Sequence, residues 1–393
     1  MDLRPELESP RCVESRESAS QTTKPSDAGF KTVPIELSVV VPTYQEAQNV
    51  PILVDRIALA LQGLAWEIIV VDDDSPDDTS SIARAIARAD RRVRIITRIG
   101  RRGLASACVE GMLASPAPYV AVMDADLQHD ENLLRPMFDL LREDRADCVV
   151  GSRYRDSVQI AAFGAGRARA SRIATAIAQR FTRANLTDPM SGFFMIKYDL
   201  VLPLIPSLSA VGFKIFLDIV LTAPASMRVA ELPYDFRARE AGESKFDLKA
   251  AYDFIYLIVD KTLGRFMPAR FIVFAVIGSI GVFVHLAALW LIFVVRQNNF
   301  AISQLIATVV AMTTNFLLNN ELTFRDRRLR GRALLRGWVS FAAGCSVGAV
   351  ANVGVAAQLY AGNRAWWLAA LAGIAIGAVW NYAVTSFYTW GKR

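Results

Sequence analysis

The sequence predicts an α/β domain built on a mostly parallel sheet, followed by a membrane domain of four helices. Three observations carry that expectation. Short apolar runs alternate with helix-period segments from Leu37 to about residue 124, the pattern of parallel strands joined by covering helices. Each run ends in polar or acidic residues, on the edge where such sheets bind ligands. The apolar excess of the chain, 53% hydrophobic residues in all, falls almost wholly after residue 270.

Residues 1 to about 34 are polar and lack an apolar period, which predicts a disordered tail. They contain no apolar core of a secretory signal peptide. Leu37-Ser38-Val39-Val40-Val41-Pro42 reads as a short buried strand ended by proline, with Thr43-Tyr44-Gln45-Glu46 after it. Residues 48–62 place Val50, Leu53, Ile57 and Leu61 at helical spacing. Trp66-Glu67-Ile68-Ile69-Val70-Val71 is a second buried strand, closing on Asp72-Asp73-Asp74-Ser75-Pro76. A helix at about 78–89, a strand over Val93-Arg94-Ile95-Ile96 and a helix at about 104–115 lead to the next strand.

That strand, Tyr119-Val120-Ala121-Val122-Met123, runs straight into Asp124-Ala125-Asp126-Leu127-Gln128-His129. Residues i and i+2 of an extended chain point the same way, so Asp124 and Asp126 can face one divalent cation, with Gln128 as a third oxygen donor in the turn. Hard oxygen ligands suit Mg²⁺ or Mn²⁺. Acidic residues after strands also serve as plain helix caps. Three polar clusters on one edge, at Tyr44/Glu46, Asp72–Asp74 and Asp124/Asp126, favour a ligand site over that reading.

Several classes are excluded. No GxGxxG follows the first strand and no GxxxxGK[ST] occurs, so a bound nucleotide would be held by metal and basic side chains. Cys12, Cys108, Cys148 and Cys345 show no CxxC spacing, which fits a reducing compartment and excludes a cysteine zinc site. His129 and His285 are too few for a histidine metal centre.

Phe271–Val295 is long and apolar enough to span a bilayer, and further spans fit at about 300–322, 338–361 and 366–388. Lys261, Arg265 and Arg270 precede the first span. Arg325, Arg327, Arg328, Arg330, Arg332 and Arg336 crowd the loop after the second, and Lys392 and Arg393 follow the fourth. The other two loops hold only Arg296 and Arg364, so the positive-inside rule puts both termini and the sheet domain in the cytoplasm. Phe246–Met267 mixes apolar positions with Lys249, Lys261 and Arg265, as amphipathic helices on a membrane surface do.

In order, Val41-Pro42-Thr43-Tyr44-Gln45-Glu46, Val71-Asp72-Asp73-Asp74-Ser75-Pro76 and Asp124-Ala125-Asp126-Leu127-Gln128-His129 resemble the family 2 GT-A glycosyltransferases. Gly151-Ser152-Arg153-Tyr154, Asp188-Pro189-Met190-Ser191-Gly192-Phe193-Phe194, Gly212-Phe213-Lys214 and Arg239-Glu240-Ala241-Gly242-Glu243-Ser244-Lys245 narrow the resemblance to polyprenyl (dolichyl) phosphate mannose synthases. Asn319-Asn320-Glu321-Leu322-Thr323-Phe324 and Asn381-Tyr382 resemble the GtrA-like four-helix membrane domain. The implied organisation is a tail at 1–34, a GT-A domain at 35–245, interface helices at 246–268 and a GtrA-like domain at 269–393. Asp130-Glu131 stands where many relatives have prolines, and the Gln-x-x-Arg-Trp signature of processive sugar polymerases is missing.

By resemblance, Pro42, Tyr44, Glu46, Val71, Asp73, Met123, Asp124, Ala125, Asp126, Arg239 and Lys245 hold the nucleotide sugar. Asp124, Asp126 and Gln128 bind the metal, while Arg153, Arg239, Ser244 and Lys245 meet the acceptor phosphate. Asp124, Asp126 and Arg153 are the expected catalytic residues. The implied reaction moves mannose from GDP-mannose to a polyprenyl monophosphate with inversion, using Mg²⁺ or Mn²⁺. The rival readings are a synthase that uses UDP-glucose or another UDP-hexose, and a flippase for lipid-linked sugars.

Overall fold

The computed structural model describes residues 34–153, 175–182, 186–209, 212, 214–237, 248–264, 266–296, 299–362 and 366–391. Among the described residues seven strands are present: β1 (Leu37–Thr43), β2 (Trp66–Asp72), β3 (Val93–Thr97), β4 (Tyr119–Val122), β5 (Cys148–Ser152), β6 (Phe194–Lys197) and β7 (Val229–Pro233). They form one sheet in the order β3-β2-β1-β4-β6-β5-β7. All pairs are parallel except those of β6, which runs antiparallel to β4 and to β5. The sheet is therefore mixed. Because β6 is the one reversed strand, the carboxyl ends of the other six and the amino end of β6 share one edge.

Helices cover both faces, as strands apolar on both sides require. The face that carries Leu37, Val39 and Val41 is covered by α1 (Asn49–Ala60), α2 (Thr79–Ala89) and α4 (Leu134–Arg142). Val50, Leu53 and Ile57 of α1 are buried there, as their spacing predicts. Phe138 of α4 is fully enclosed, and burying a side chain of that size stabilises the fold by about 1.5–3 kcal/mol. The opposite face, with Val40, Ile69 and Val71, is covered by α3 (Leu104–Leu113) and α6 (Ile215–Thr222); the single-turn α5 (Tyr198–Val201) follows β6.

One strand boundary differs from the sequence expectation. β1 does not end at Pro42 but continues one residue further to Thr43, with Pro42 opposite Val71 and Thr43 opposite Asp72. A proline lacks the N–H a central strand needs on both sides. β4 pairs with β1 only as far as Val40, so Pro42 lies beyond that ladder.

After the sheet domain, α7 (Leu248–Leu263) leads to α8 (Ala269–Leu289), α9 (Phe300–Leu318), α10 (Arg332–Ala361) and α11 (Trp366–Val384). Among the described residues, three helical segments are long and apolar enough to cross a membrane: Ala269–Val295, Ile302–Thr323 and Arg332–Val350. The expected fourth span coincides with α11, several of whose side chains lie outside the described residues.

The four helices pack as two hairpins of one design, α8 with α9 and α10 with α11. In each, a glycine of the first helix lies against an asparagine of the second: Gly281 against Asn315, and Gly348 against Asn381. A Cβ built on either glycine would overlap that carboxamide, so small residues set the approach of the helices here. Each second helix ends in a π-helical turn, Asn319–Thr323 or Thr385–Thr389, capped by an aromatic residue, Phe324 or Trp390. Those two rings stack face to face, 4.2 Å apart and 7° from parallel. Phe274, Phe316 and Phe341 complete the core around them. Asn320 Oδ1 accepts from the Trp390 indole N–H at 3.1 Å and from Leu329 N–H at 2.8 Å, and Glu321 pairs with Arg328.

Candidate active site

The three polar clusters predicted at strand ends do share one edge, since Thr43 lies opposite Asp72 and Asp72 opposite Thr97, while Met123 N–H donates to Val40 O. In each cluster the chain turns through a residue other than glycine with left-handed backbone: Gln45 (φ 62°), Asp74 (φ 56°) and Leu127 (φ 62°). Such conformations cost of order 1–3 kcal/mol each and gather at functional sites.

From Met123 to Asp130 burial alternates strictly, with Met123, Ala125, Leu127 and His129 buried and Asp124, Asp126, Gln128 and Asp130 open. Asp124 and Asp126 are thus both half-exposed at the strand's end, two residues apart. Asp124 Oδ2 is 3.3 Å from His129 Nε2, and His129 Nδ1 is 2.6 Å from the Tyr234 hydroxyl. Burial pushes the phenol of Tyr234 well above its ordinary pKa, so it stays protonated and is held as a hydrogen-bond partner of Nδ1. His129 thus bridges the Tyr234 hydroxyl and Asp124 Oδ2 through its two ring nitrogens. Rings of Phe193, Tyr234 and Phe236 pack around His129. Gln128 N–H donates to Asp126 Oδ1 at 3.2 Å, while the Gln128 side-chain amide donates to Arg237 O at 3.1 Å and Arg237 N–H to Gln128 O at 3.0 Å. Arg237 in turn grips Glu131 at 2.7 Å and Asp130 at 3.1 Å. The acidic pair Asp130-Glu131 is thereby tied to the segment after β7.

The donor set fits a hard divalent cation. Two half-exposed carboxylates two residues apart, one of them within hydrogen-bond reach of a histidine, match the pattern in which outer hydrogen bonds fix metal ligands. Gln128 offers an amide oxygen beside them, its NH₂ being engaged with Arg237.

Asp73 is held more tightly than the sequence reading anticipates. Its Oδ1 accepts from Arg98 Nη1 at 2.5 Å and its Oδ2 from Gly103 N–H at 2.6 Å. Arg98 is 3% exposed and also reaches Glu110, Ser106 and Gly103 O. Asp72 is a loop clamp: its carboxylate accepts from Thr43, Ser75 and Ser80 hydroxyls. Tyr44 is 39% exposed, with the Arg102 guanidinium 4.4 Å from its ring centroid. Glu46 Oε2 accepts from Asn49 at 2.6 Å. Pro42, Val71, Met123 and Ala125 are buried, so their side chains form the floor of the edge, and any contact they make with a ligand runs through main-chain atoms.

Beyond β5, Arg153 donates through Nε and Nη2 to both oxygens of Asp188, at 2.7 and 2.8 Å. Asp188 is fully buried, and Glu231 fixes its loop by accepting from Thr187 and Asp188 N–H groups. Lys214, before α6, reaches Met190 O at 3.4 Å. Burial first, then the charge of Arg153, brings its pKa down to about 8. Arg239, Ser244 and Lys245 lie outside the described residues. Sequence reasoning placed no role on Arg98, Tyr234, Asp188 or Lys214; the last two stood in quoted motifs, which was the available signal.

A mixed sheet with an aspartate pair at its edge, joined to apolar helices, defines a membrane-bound glycosyltransferase with a GT-A fold. Residues 38–202 match the Glycosyl transferase family 2 model and residues 273–390 the GtrA/DPMS transmembrane domain. A dolichol-phosphate mannosyltransferase of Pyrococcus furiosus is 32% identical over 320 residues, which cover 81% of this chain and 89% of that protein. Another, from Saccharomyces cerevisiae, is 33% identical over 255 residues, covering 63% and 94%. Among solved structures, glucosyl-3-phosphoglycerate synthase from Mycobacterium tuberculosis in complex with Mg²⁺ and uridine-diphosphate is similar over 60% of this chain and 80% of that one, at 20% identity and a TM-score of 0.46. The chain belongs to the dolichol-phosphate mannosyltransferase family.

Proposed function

We propose that the protein transfers mannose from GDP-mannose to a polyprenyl monophosphate of the dolichyl type, at the cytoplasmic face of the membrane and with inversion. The observation that carries this reading is the 32% identity to a dolichol-phosphate mannosyltransferase across 89% of that relative. The strand-end carboxylates and the basic groups beside them support it.

A phosphate monoester has its second pKa near 6, so the acceptor oxygen is largely ionised at neutral pH and needs no general base. That oxygen attacks the anomeric carbon as the bond to the diphosphate breaks, and GDP departs with the electron pair. One such displacement inverts the centre. Asp124 and Asp126, with Gln128, hold Mg²⁺ or Mn²⁺; the chemistry that ion supplies when bound is charge neutralisation at the leaving diphosphate. His129 and Tyr234 keep Asp124 in place. Pro42, Tyr44, Glu46, Val71, Asp73, Met123 and Ala125 line the nucleotide side, with Arg239 and Lys245. Arg153, oriented by Asp188, meets the acceptor phosphate together with Arg239, Ser244 and Lys245, and the charge of Lys214 adds to theirs. Arginine's rigid fork suits a phosphate held beside a reacting carbon. The arginine-rich loop after α9 and the basic residues before α8 support a cytoplasmic catalytic domain and cytoplasmic termini.

The test is a donor screen on the purified full chain with a short polyprenyl phosphate and Mg²⁺ or Mn²⁺. Labelled mannose entering the organic phase, and stopped by EDTA, is the expected result. Label from UDP-glucose alone would move the donor assignment to a UDP-hexose, and no transfer from any sugar nucleotide would overturn the enzymatic reading.

A further inference from the structure

We propose that Arg325, in the loop after the second membrane helix, is a positioning residue for the catalytic edge: through Asp253 it holds Gly212, and so the segment that carries Lys214. The part that concerns turnover rests on the function proposed above; the mechanical part does not.

Arg325 Nη1 pairs with Oδ1 of Asp253 on α7, a carboxylate only 5% exposed. The same guanidinium lies 5.5 Å from the ring centroid of Tyr252, whose hydroxyl donates to Leu322 O at 3.1 Å. Arg270, at the start of α8, donates to Asp326 at 2.9 Å. The loop is thus fastened from α7 and from the membrane domain at once.

On its other side Asp253 meets Gly212. That glycine has φ +77°, and a Cβ built on it would stand 2.9 Å from Asp253 Cβ and 3.2 Å from its Oδ2. Only glycine fits both the backbone and the space. Gly212 O accepts the N–H of Ala105 at 3.1 Å, in the first turn of α3. The residue capping that turn, Gly103, is the one that donates to Asp73. Two positions after Gly212 comes Lys214, whose ammonium donates to Met190 O and feels the charges of Arg153 and Asp188. Gly212 therefore sits between the membrane loop and the edge, touching both nucleotide-side and acceptor-side residues through its neighbours.

The support is continuous along α7. Lys261 Nζ is 2.8 Å from Asp218 Oδ1 on α6, both nearly buried, and Phe254 and Leu257 pack with Met190 and Leu217. A buried carboxylate is tolerated while its cation is present; removing the cation leaves an uncompensated charge. Asp253 must then move or hydrate, and Gly212 is what it rests against.

The experiment uses the full chain in detergent or nanodiscs, with two readouts. In amide hydrogen exchange, Arg325→Ala is expected to lower protection of Ala105 N–H by about tenfold or more while amides of β1 and β2 keep theirs. The charge exchange Asp253→Arg with Arg325→Asp restores it. Unchanged protection at Ala105, or a uniform loss across the sheet, overturns the proposal. In the transfer assay, Arg325→Ala is expected to lower kcat roughly tenfold with donor KM within about threefold, and to cost less than about twofold when Lys214 is already alanine. Losses that simply multiply would sink the link to Lys214. A parent chain that transfers no sugar would refute the proposed function, and the exchange at Ala105 would still decide the mechanical claim.

Discussion

Gly192 lies against the carboxylate of Asp124: a Cβ built on it would stand 2.8 Å from Asp124 Oδ2. The glycine of the Asp-Pro-Met-Ser-Gly-Phe-Phe segment is thus a spacer for a residue 68 positions earlier in the chain. Gly192→Ala is expected to displace Asp124 and cut turnover by about a hundredfold, the scale of a misplacement near 1 Å. Gly278→Ala, where the added methyl meets open space, is the control and should leave rate and melting temperature unchanged. Equal rates for both variants would refute the spacer role.

Asp126→Asn keeps the size of the side chain and removes its charge. Turnover should vanish while the melting temperature of the full chain stays within a few degrees. A variant that still transfers sugar would remove Asp126 from the metal site.

Tyr234→Phe deletes one hydroxyl, the hydrogen-bond partner of His129 Nδ1. With His129 free to change tautomer or rotate, Asp124 loses its aligned partner. Loss of such an outer hydrogen bond weakens metal binding by about 10–100-fold, so Mn²⁺ titration of transfer activity should need correspondingly more metal. A titration that superimposes on the parent's contradicts the relay.

Arg98→Ala strands the Asp73 carboxylate, which is 9% exposed in its side chain. Breaking a buried pair from one side costs about 3–5 kcal/mol. For a domain of this size each kcal/mol lowers the melting temperature by roughly 2–4 °C. Thermal unfolding should therefore begin markedly earlier, and removing both charges together (Arg98→Met with Asp73→Asn) should cost less than Arg98→Ala alone.

Lys214 sets a pH limit. Its ammonium form, held to pH values below about 8 in the free protein, is the one that attracts phosphate. kcat/KM, which reports the free enzyme and the free acceptor phosphate, should be level between about pH 6 and pH 8 and fall about tenfold per pH unit above pH 8. Lys214→Arg stays charged and should extend the plateau past pH 9. A parent profile flat to pH 9 would exclude Lys214 from phosphate binding.

What the sequence made legible was local. The alternation of burial from Met123 to Asp130 is a property of adjacent residues, so the exposure of Asp124 and Asp126 at the strand's end could be read directly. Their partners could not: Tyr234 comes from 105 residues beyond His129, and Asp188 from 35 beyond Arg153. Those pairings depend on β6 entering the sheet backwards between β4 and β5, and a four-residue strand leaves little periodicity to read. Asp130 and Glu131 stood out as a departure from relatives, but only the fold supplies Arg237 as the reason. Pro42 misled because its cost depends on where the neighbouring strand stops.

The ring stack of Phe324 on Trp390 makes the far end of the sequence a structural support for a distant loop. A chain cut before Thr385 would keep every apolar helix and still be rich enough in hydrophobic residues to enter a bilayer. It would lose the ring beneath Phe324, the indole that caps Asn320 and the carbonyl of Trp390 that accepts from Arg327 at 3.2 Å. The segment that presents Arg325 would be left without a floor. Insertion into the membrane and assembly of the face that meets the sheet domain are separate achievements here, and the final turn belongs to the second.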